Sequence, residues 1–291
     1  MDWRSKARAQ RVLGRVPYGT HMNYVLQRFV THTYPRRGAA LDEVVATARR
    51  HHGNIERFGP RPASASTTLE FGAGWDLATP VAMAALGVER QLVLDLRRVA
   101  RLSLVRGAVE DLSERGLLTA PAVPAGGATL SSYLDPLGIE YQAPADARHT
   151  GLPDGSVDVA LSTSTLEHIG VDDIRTILAE LRRVLRADGV CSFAIDYHDH
   201  YASGDPSIHG LHFLRYPAPA WKRWNCALQF QNRLRHPDFL DLFDEGGFEV
   251  LDVEAVHDPS LPDHIELAAE FRHYTDAELR TTDGWFVLRP R

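Results

Sequence analysis

Two hydrophobic rhythms run along this chain. From residue 66 onward, short apolar runs of strand length are separated by segments whose apolar residues recur every three or four positions. The first rhythm is that of buried strands, the second that of amphipathic helices. Strands are expected at Thr67–Phe71, Gln91–Leu96, Ile139–Gln142, Ser156–Ser162, Gly189–Asp196, Phe248–Val256 and Gly284–Leu288. Helices are expected at Asp76–Leu86, with Asp76 as N-cap, at Val99–Glu114 and near Thr129–Leu137. Further helices are expected at Asp172–Leu185, Trp221–Arg235 and Pro237–Glu245. Strands alternating with helices imply an α/β fold: a seven-stranded, mainly parallel sheet with helices on both faces.

Residues 1–60 carry helical periodicity only. His21–Val30 places Met22, Val25, Leu26 and Phe29 on one face, and Leu41–His52 repeats the pattern. Pro17, Tyr18 and Gly19 break the first helix, Pro35 ends the second, and Pro60 with Pro62 closes the segment. We therefore expect an N-terminal helical appendage over 1–60, acting as a lid, and one α/β domain over 61–291. Ala120–Ala128, rich in proline and glycine, reads as a surface loop.

Composition narrows the function classes. An apolar fraction of 44% and a charged fraction of 24% are those of a globular protein. The net charge of −6 argues against nucleic acid as a partner. Two cysteines, Cys191 in an expected strand and Cys226 in an expected helix, are too few for a disulfide scaffold and read as buried thiols. The basic N-terminus lacks the apolar core of a signal peptide, and no apolar run has membrane-spanning length, so a cytoplasmic protein without membrane contact is expected.

Ligands of an open parallel sheet bind beyond the carboxyl ends of the strands, where strand order reverses. The residues ending the expected strands are Glu70-Phe71-Gly72-Ala73-Gly74, Asp95-Leu96, Asp146-Ala147 and Ser162-Thr163-Ser164. The first stretch, within TTLEFGAGWDL, has two glycines for a tight turn but Leu77 where a dinucleotide loop has its third glycine. A carboxylate at Glu70 would repel a pyrophosphate and favour a cation. Asp95, about twenty residues on, can accept from both ribose hydroxyls. S-adenosylmethionine, with an ammonium, a sulfonium and no phosphate, suits this loop better than a nicotinamide dinucleotide.

With LEFGAGWD, LVLDLRR, ADARHTGLPDGSVDVALSTSTLEHI and LRRVLRADGVCSFAIDY in series across residues 67–197, the sequence resembles the class I S-adenosylmethionine-dependent methyltransferases. The resemblance implies a Rossmann-like fold and assigns the methionine part of the cofactor to Glu70, Gly72, Ala73 and Gly74. It assigns the ribose to Asp95 with Leu96, the adenine amino group to Asp146 with Ala147, and the methionine end again to Ser162. Asp76, where the family often has a glycine, is a departure that its capping role explains.

Methyl transfer from a sulfonium needs alignment of an acceptor lone pair and at most one general base. His168, after the fourth strand, and His200, after the fifth, are the candidate bases, and Tyr197 is a candidate aromatic wall for the sulfonium. His198 and His200 stand two apart and could join His168 around an ion, but the run does not match metal-dependent relatives, and no metal is expected. Tyr18, Asn23, Tyr24 and Gln27 in the lid, and Arg215 and Asn232 in an acceptor-pocket insertion around 200–236, are the candidate substrate contacts. The expected reaction is O- or N-methylation of a small molecule in specialised metabolism, giving S-adenosylhomocysteine. Two alternatives stay open: cyclisation of the cofactor to azetidine-2-carboxylate and methylthioadenosine, and a noncatalytic module that binds the cofactor.

Overall fold

The computed structural model describes residues 2–16, 21, 22, 24, 34, 36–121 and 127–291. Seven strands form one sheet: β1 (Thr67–Phe71), β2 (Arg90–Leu94), β3 (Ile139–Gln142), β4 (Val157–Thr163), β5 (Leu185–Asp196), β6 (Phe248–His257) and β7 (Thr281–Pro290). Their order is β3-β2-β1-β4-β5-β7-β6. β1 to β5 run parallel, and β7 inserts antiparallel between β5 and β6. Strand order therefore reverses between β1 and β4, with Glu70 of β1 in register with Val93 on one side and Leu161 on the other.

Helices cover both faces because strand residues alternate between them. Leu69 and Phe71 of β1 and Cys191, Phe193 and Ile195 of β5 pack under α6 (Val171–Val184) and α8 (His236–Glu245). Val93 of β2, Val159 and Leu161 of β4 and Val190 of β5 face the other layer. That layer holds α2 (Ala39–Phe58), α3 (Ala78–Ala85), α4 (Leu102–Glu114) and α5 (Leu130–Leu134). Within it the His51 ring of α2 is fully buried on the sheet, Nδ1 2.8 Å from the Ser192 hydroxyl and Nε2 3.0 Å from that of Thr163. Burial first, then the Arg50 charge, pushes His51 down to about 3, so it stays neutral.

A smaller apolar cluster lies outside the sheet layers. Trp3 and Ala7 of α1 (Trp3–Leu13) meet Tyr201, Phe213 and Trp221, and Leu261, Phe271 and Leu279 complete it. α1 thus shares its core with the 200–224 segment, whereas α2 shares that of the sheet.

Two expected elements differ. The helix expected over Trp221–Arg235 is absent: α7 (Ala218–Trp221) is one turn, and the chain then runs irregularly to α8. The reason is tertiary. Arg233 Nη1 donates to the Phe213 and Tyr216 carbonyls, and the wholly buried Arg235 donates to the carbonyls of Tyr197, Leu279 and Thr281. Cys226 consequently sits outside a helix, although both thiols are free and buried as expected. Of the helix expected over His21–Val30, all but His21, Met22 and Tyr24 lies outside the described residues. Among the described residues no helix is long and apolar enough to cross a membrane.

Candidate active site

A cleft of about 570 Å³ opens at the carboxyl ends of β1 to β4, at the point where strand order reverses. Gly72 forms its floor with a φ of +82°, which an L side chain rarely adopts, and its amide donates to the Leu94 carbonyl at 2.9 Å. A Cβ on Gly72 would lie 2.4 Å from the Thr165 methyl, so the glycine is also required by space. Gly74, at φ +80°, has open room around it and is needed for conformation alone. The chain then turns through Leu77 in the left-handed region before α3 begins at Ala78. Leu77 therefore takes the N-cap position expected of Asp76, whose Oδ1 still accepts from the Ala78 amide at 3.3 Å while Arg36 Nε donates to its Oδ2 at 2.8 Å.

Three acids surround the glycine turn. Glu70 is 3% exposed and, by alternation with Leu69 and Phe71, projects to the α2–α3 side of the sheet rather than into the cleft. Burial, reinforced by the Asp95 charge and opposed by Arg36, pushes it up to about 8, and its Oε2 has no hydrogen-bond partner. Asp95 lines the cleft; burial raises it to about 6 against the bonds from the Tyr141 hydroxyl (3.0 Å) and the Gly74 amide. Asp146 also lines the cleft, but Arg148 grips its carboxylate through Nε at 3.0 Å to both oxygens and holds it below the usual range. Of the sequence-derived cofactor residues, Gly72, Asp95, Leu96, Asp146 and Ala147 border the cleft; Glu70, Ala73, Gly74 and Ser162 do not. Ser162 is fully buried with its hydroxyl unpartnered.

At the far end stands His168. Its Nδ1–H donates to the Phe230 carbonyl at 2.6 Å, and its ring packs edge-on against that of His200, centroids 4.8 Å apart. The ring is open to the cleft, yet protein crowds it on most sides; that desolvation, with the nearby His200, lowers its pKa. Asp196 joins two imidazoles, accepting from His198 Nδ1 at 2.8 Å and His200 Nε2 at 3.1 Å. Burial acts to raise its pKa, but these bonds prevail and hold it low. Between them Glu167, 3% exposed, has neither carboxyl oxygen hydrogen-bonded. Desolvation, then the Asp196 charge, raises it well above the usual range; its own amide and that of Asp196 soften this without completing a bond.

Several expected contacts are placed elsewhere. Tyr197 is a core residue, 2% exposed, stacked on Phe239 and 3.2 Å from His236 Nδ1, so it is not a wall of the cleft. Asn232 spends its side chain on the chain itself: Nδ2 donates to the Leu166 and Ile169 carbonyls at 2.8 and 2.9 Å, and Oδ1 accepts from Leu234. It fixes the loop that carries His168 and is not among the residues lining the cleft. Arg215 pairs at 2.7 Å with Glu266 on the surface, away from the cleft. Tyr24 stacks on Trp75 of the glycine turn, centroids 4.9 Å apart, at the cofactor end. Tyr18, Asn23 and Gln27 lie outside the described residues.

The sequence reading passed over Phe230, Arg148 and Gln231. Gln231 accepts from the His200 amide at 3.0 Å and donates to the His198 carbonyl at 2.7 Å, so it sets the 198–200 loop. Nothing local distinguishes these residues; only their distant partners give them a role.

Comparison with known proteins agrees with this geometry. Residues 129–193, from α5 into β5, match a family model described as a methyltransferase domain. No curated protein matches the chain. Among solved structures it is similar to the PH0226 protein of Pyrococcus horikoshii OT3, at 12% identity and a TM-score of 0.51, covering 91% of this chain and 98% of that one. It is also similar to the methyltransferase bound to the Haloferax volcanii Trm112 activator, at 18% identity and a TM-score of 0.45 over 86% and 98% of the two chains. A geranyl diphosphate methyltransferase in complex with S-adenosylmethionine is similar at 13% identity and a TM-score of 0.47 over 88% and 92%. The likeness to PH0226, at a TM-score of 0.51 and 12% identity, speaks for the fold alone, and the motif series and the family match speak for the rest. Together they support reading the chain as similar to the class I S-adenosylmethionine-dependent methyltransferases, the family match itself covering residues 129–193.

Proposed function

We propose that the protein transfers the methyl group of S-adenosylmethionine, the cofactor of its family, to an oxygen or nitrogen of a small acceptor in specialised metabolism, oxygen being favoured. The observation that carries this reading is the gathering of Gly72, Asp95, Asp146 and His168, from four separate strand ends, around one cleft. The sulfonium already activates the methyl group, so alignment is the protein's main task. The acceptor lone pair bonds to the methyl carbon as the carbon–sulfur bond breaks, and that electron pair stays on sulfur. A hydroxyl acceptor also sheds one proton. With no ion bound, His168 is set to receive it, because Nδ1–H is committed to Phe230 and the lowered pKa keeps the lone pair on Nε2. The net charge of −6 favours a small acceptor over a nucleic acid.

Calorimetry with S-adenosylhomocysteine tests the cofactor site. Asp95→Ala is expected to weaken binding about 10- to 100-fold, the weight of hydrogen bonds to a charged group. Absence of binding heat with the unaltered protein would sink the reading. Incubation with S-adenosylmethionine alone separates the cyclase alternative, which makes methylthioadenosine without an acceptor. That alternative leaned on Tyr197, with Tyr18 or Tyr24, as aromatic walls; Tyr197 lies in the core, while Tyr24 stacks on Trp75 of the glycine turn.

A further inference from the structure

We propose that Glu167, His168 and His200 hold one divalent first-row transition-metal ion at the acceptor end of the cleft, leaving coordination positions for an oxygen of the substrate. One donor atom from each of the three lies within 4.8 Å of the others. Two imidazoles and one carboxylate are a ligand set suited to zinc, manganese or iron with open positions, and too nitrogen-rich for magnesium or calcium. Metal–ligand bonds of about 2.0–2.2 Å put neighbouring donors roughly 3.4 Å apart, so the ion draws the three groups inward by about 1 Å.

The surroundings carry the assignment beyond simple proximity. Metal-bound histidines donate their second ring N–H to a carbonyl or carboxylate, which fixes ring and tautomer. His168 does so through Nδ1 to the Phe230 carbonyl at 2.6 Å, and His200 through Nε2 to Asp196 Oδ2 at 3.1 Å. Each ring thereby keeps one nitrogen with its lone pair unspent. Gln231 holds the His200 backbone at 3.0 Å, and Asn232 holds the Glu167–Ile169 turn, its amide donating to the Glu167 carbonyl at 2.9 Å. The third group, Glu167, is 97% buried with both oxygens unpartnered, which is costly for a carboxyl unless something pairs with it. A cation removes that cost. The neighbouring trio of Asp196, His198 and Asp283 is weaker as a site, because Asp196 already spends its oxygens on His198 and His200.

The consequence for chemistry rests on the methyl-transfer reading above. An acceptor hydroxyl bound to the ion ionises near neutral pH, its proton passing to solvent. The resulting alkoxide or phenolate forms the new oxygen–carbon bond while the carbon–sulfur pair goes to sulfur. The loaded site therefore selects acceptors with an oxygen donor, and His168 serves as a ligand in place of a proton acceptor.

The test uses the full chain stripped with a chelator and titrated with Zn²⁺ and Mn²⁺ in a calorimeter, with Co²⁺ absorption as a second readout. One ion per chain is expected. Glu167→Gln and His200→Asn should each lose about 100-fold in affinity, and Asp196→Asn about tenfold. His198→Gln should stay within about twofold. Circular dichroism and S-adenosylhomocysteine binding on every variant report whether it folds. Failure of the unaltered protein to take up an ion, or equal affinity in Glu167→Gln, overturns the site. A loss in His198→Gln matching that of His200→Asn also overturns it, moving the ion to the neighbouring trio. S-adenosylhomocysteine binding without metal uptake refutes the ion and spares the methyl-transfer reading; metal uptake without that binding does the reverse.

Discussion

Glu70 is a proton reservoir beside the cofactor turn. At pH 7 burial keeps it largely protonated, since its pKa stands at about 8. Glu70 faces the helix layer, but an ammonium held at the adjacent glycine turn would favour its ionised form through space, so binding should release a proton. Affinity must then rise with pH as long as the free protein is protonated at Glu70. From pH 6.5 to 7.5, above the value of about 6 for Asp95, S-adenosylhomocysteine should bind several-fold tighter, approaching tenfold. Glu70→Gln should bind more weakly and with a flat profile. Isothermal titration in buffers of different ionisation enthalpy counts the proton directly; zero release in the unaltered protein would refute the linkage. The same residue marks what a sequence can yield. Its place before the glycines is a local feature and could be read, whereas its charge state depends on Asp95, Arg36 and the helix layer above it, and could not.

At the scale of elements, the strands were legible because their apolar runs are bounded by polar turns, as with VDVALST of β4 and LRADGVCSFAID of β5. The 221–235 segment was not, because its aromatic and basic spacing imitates a helix face while Arg233 and Arg235 are drawn to carbonyls far along the chain. The internal bonds of Asn232 and Gln231 were not legible for the same reason. α1 is likewise held by remote partners. Its Trp3 ring meets those of Tyr201, His212, Tyr216 and Trp224 at centroid distances of 5.0–5.9 Å, and its amide donates to Asp205 at 2.8 Å. Trp3→Ala should cost about 3 kcal/mol in chemical denaturation if α1 and the sheet unfold together. It should also raise protease cleavage in 200–224, the segment that shares this cluster; unchanged cleavage would mean that α1 does not brace it.

For the molecule as a whole, buried acids set an unusual pH response. Glu70 and Glu167 have raised pKa values in the fold, so between their unfolded value near 4.5 and the folded one the native state holds protons that the unfolded chain has released. Stability is then full at low pH and declines as pH rises. His51 acts in the opposite sense, but only below about 6.5, where the unfolded imidazole starts to bind a proton that the native one refuses. From pH 6.5 to 8 Glu70 therefore dominates, contributing up to about 1.4 kcal/mol per pH unit. Thermal melts of ligand-free, metal-free protein should drop by a few degrees across that interval, and Glu70→Gln should lessen the drop. A melting temperature that climbs with pH would contradict this picture.

The contact between Gly72 and Thr165 has a practical consequence. The glycine turn and the 163–168 loop touch so closely that no methyl-sized gap separates them. If the proposed function holds, re-cutting residues 163–168 for a different acceptor should also weaken S-adenosylhomocysteine binding, so scope and donor affinity would have to be engineered together.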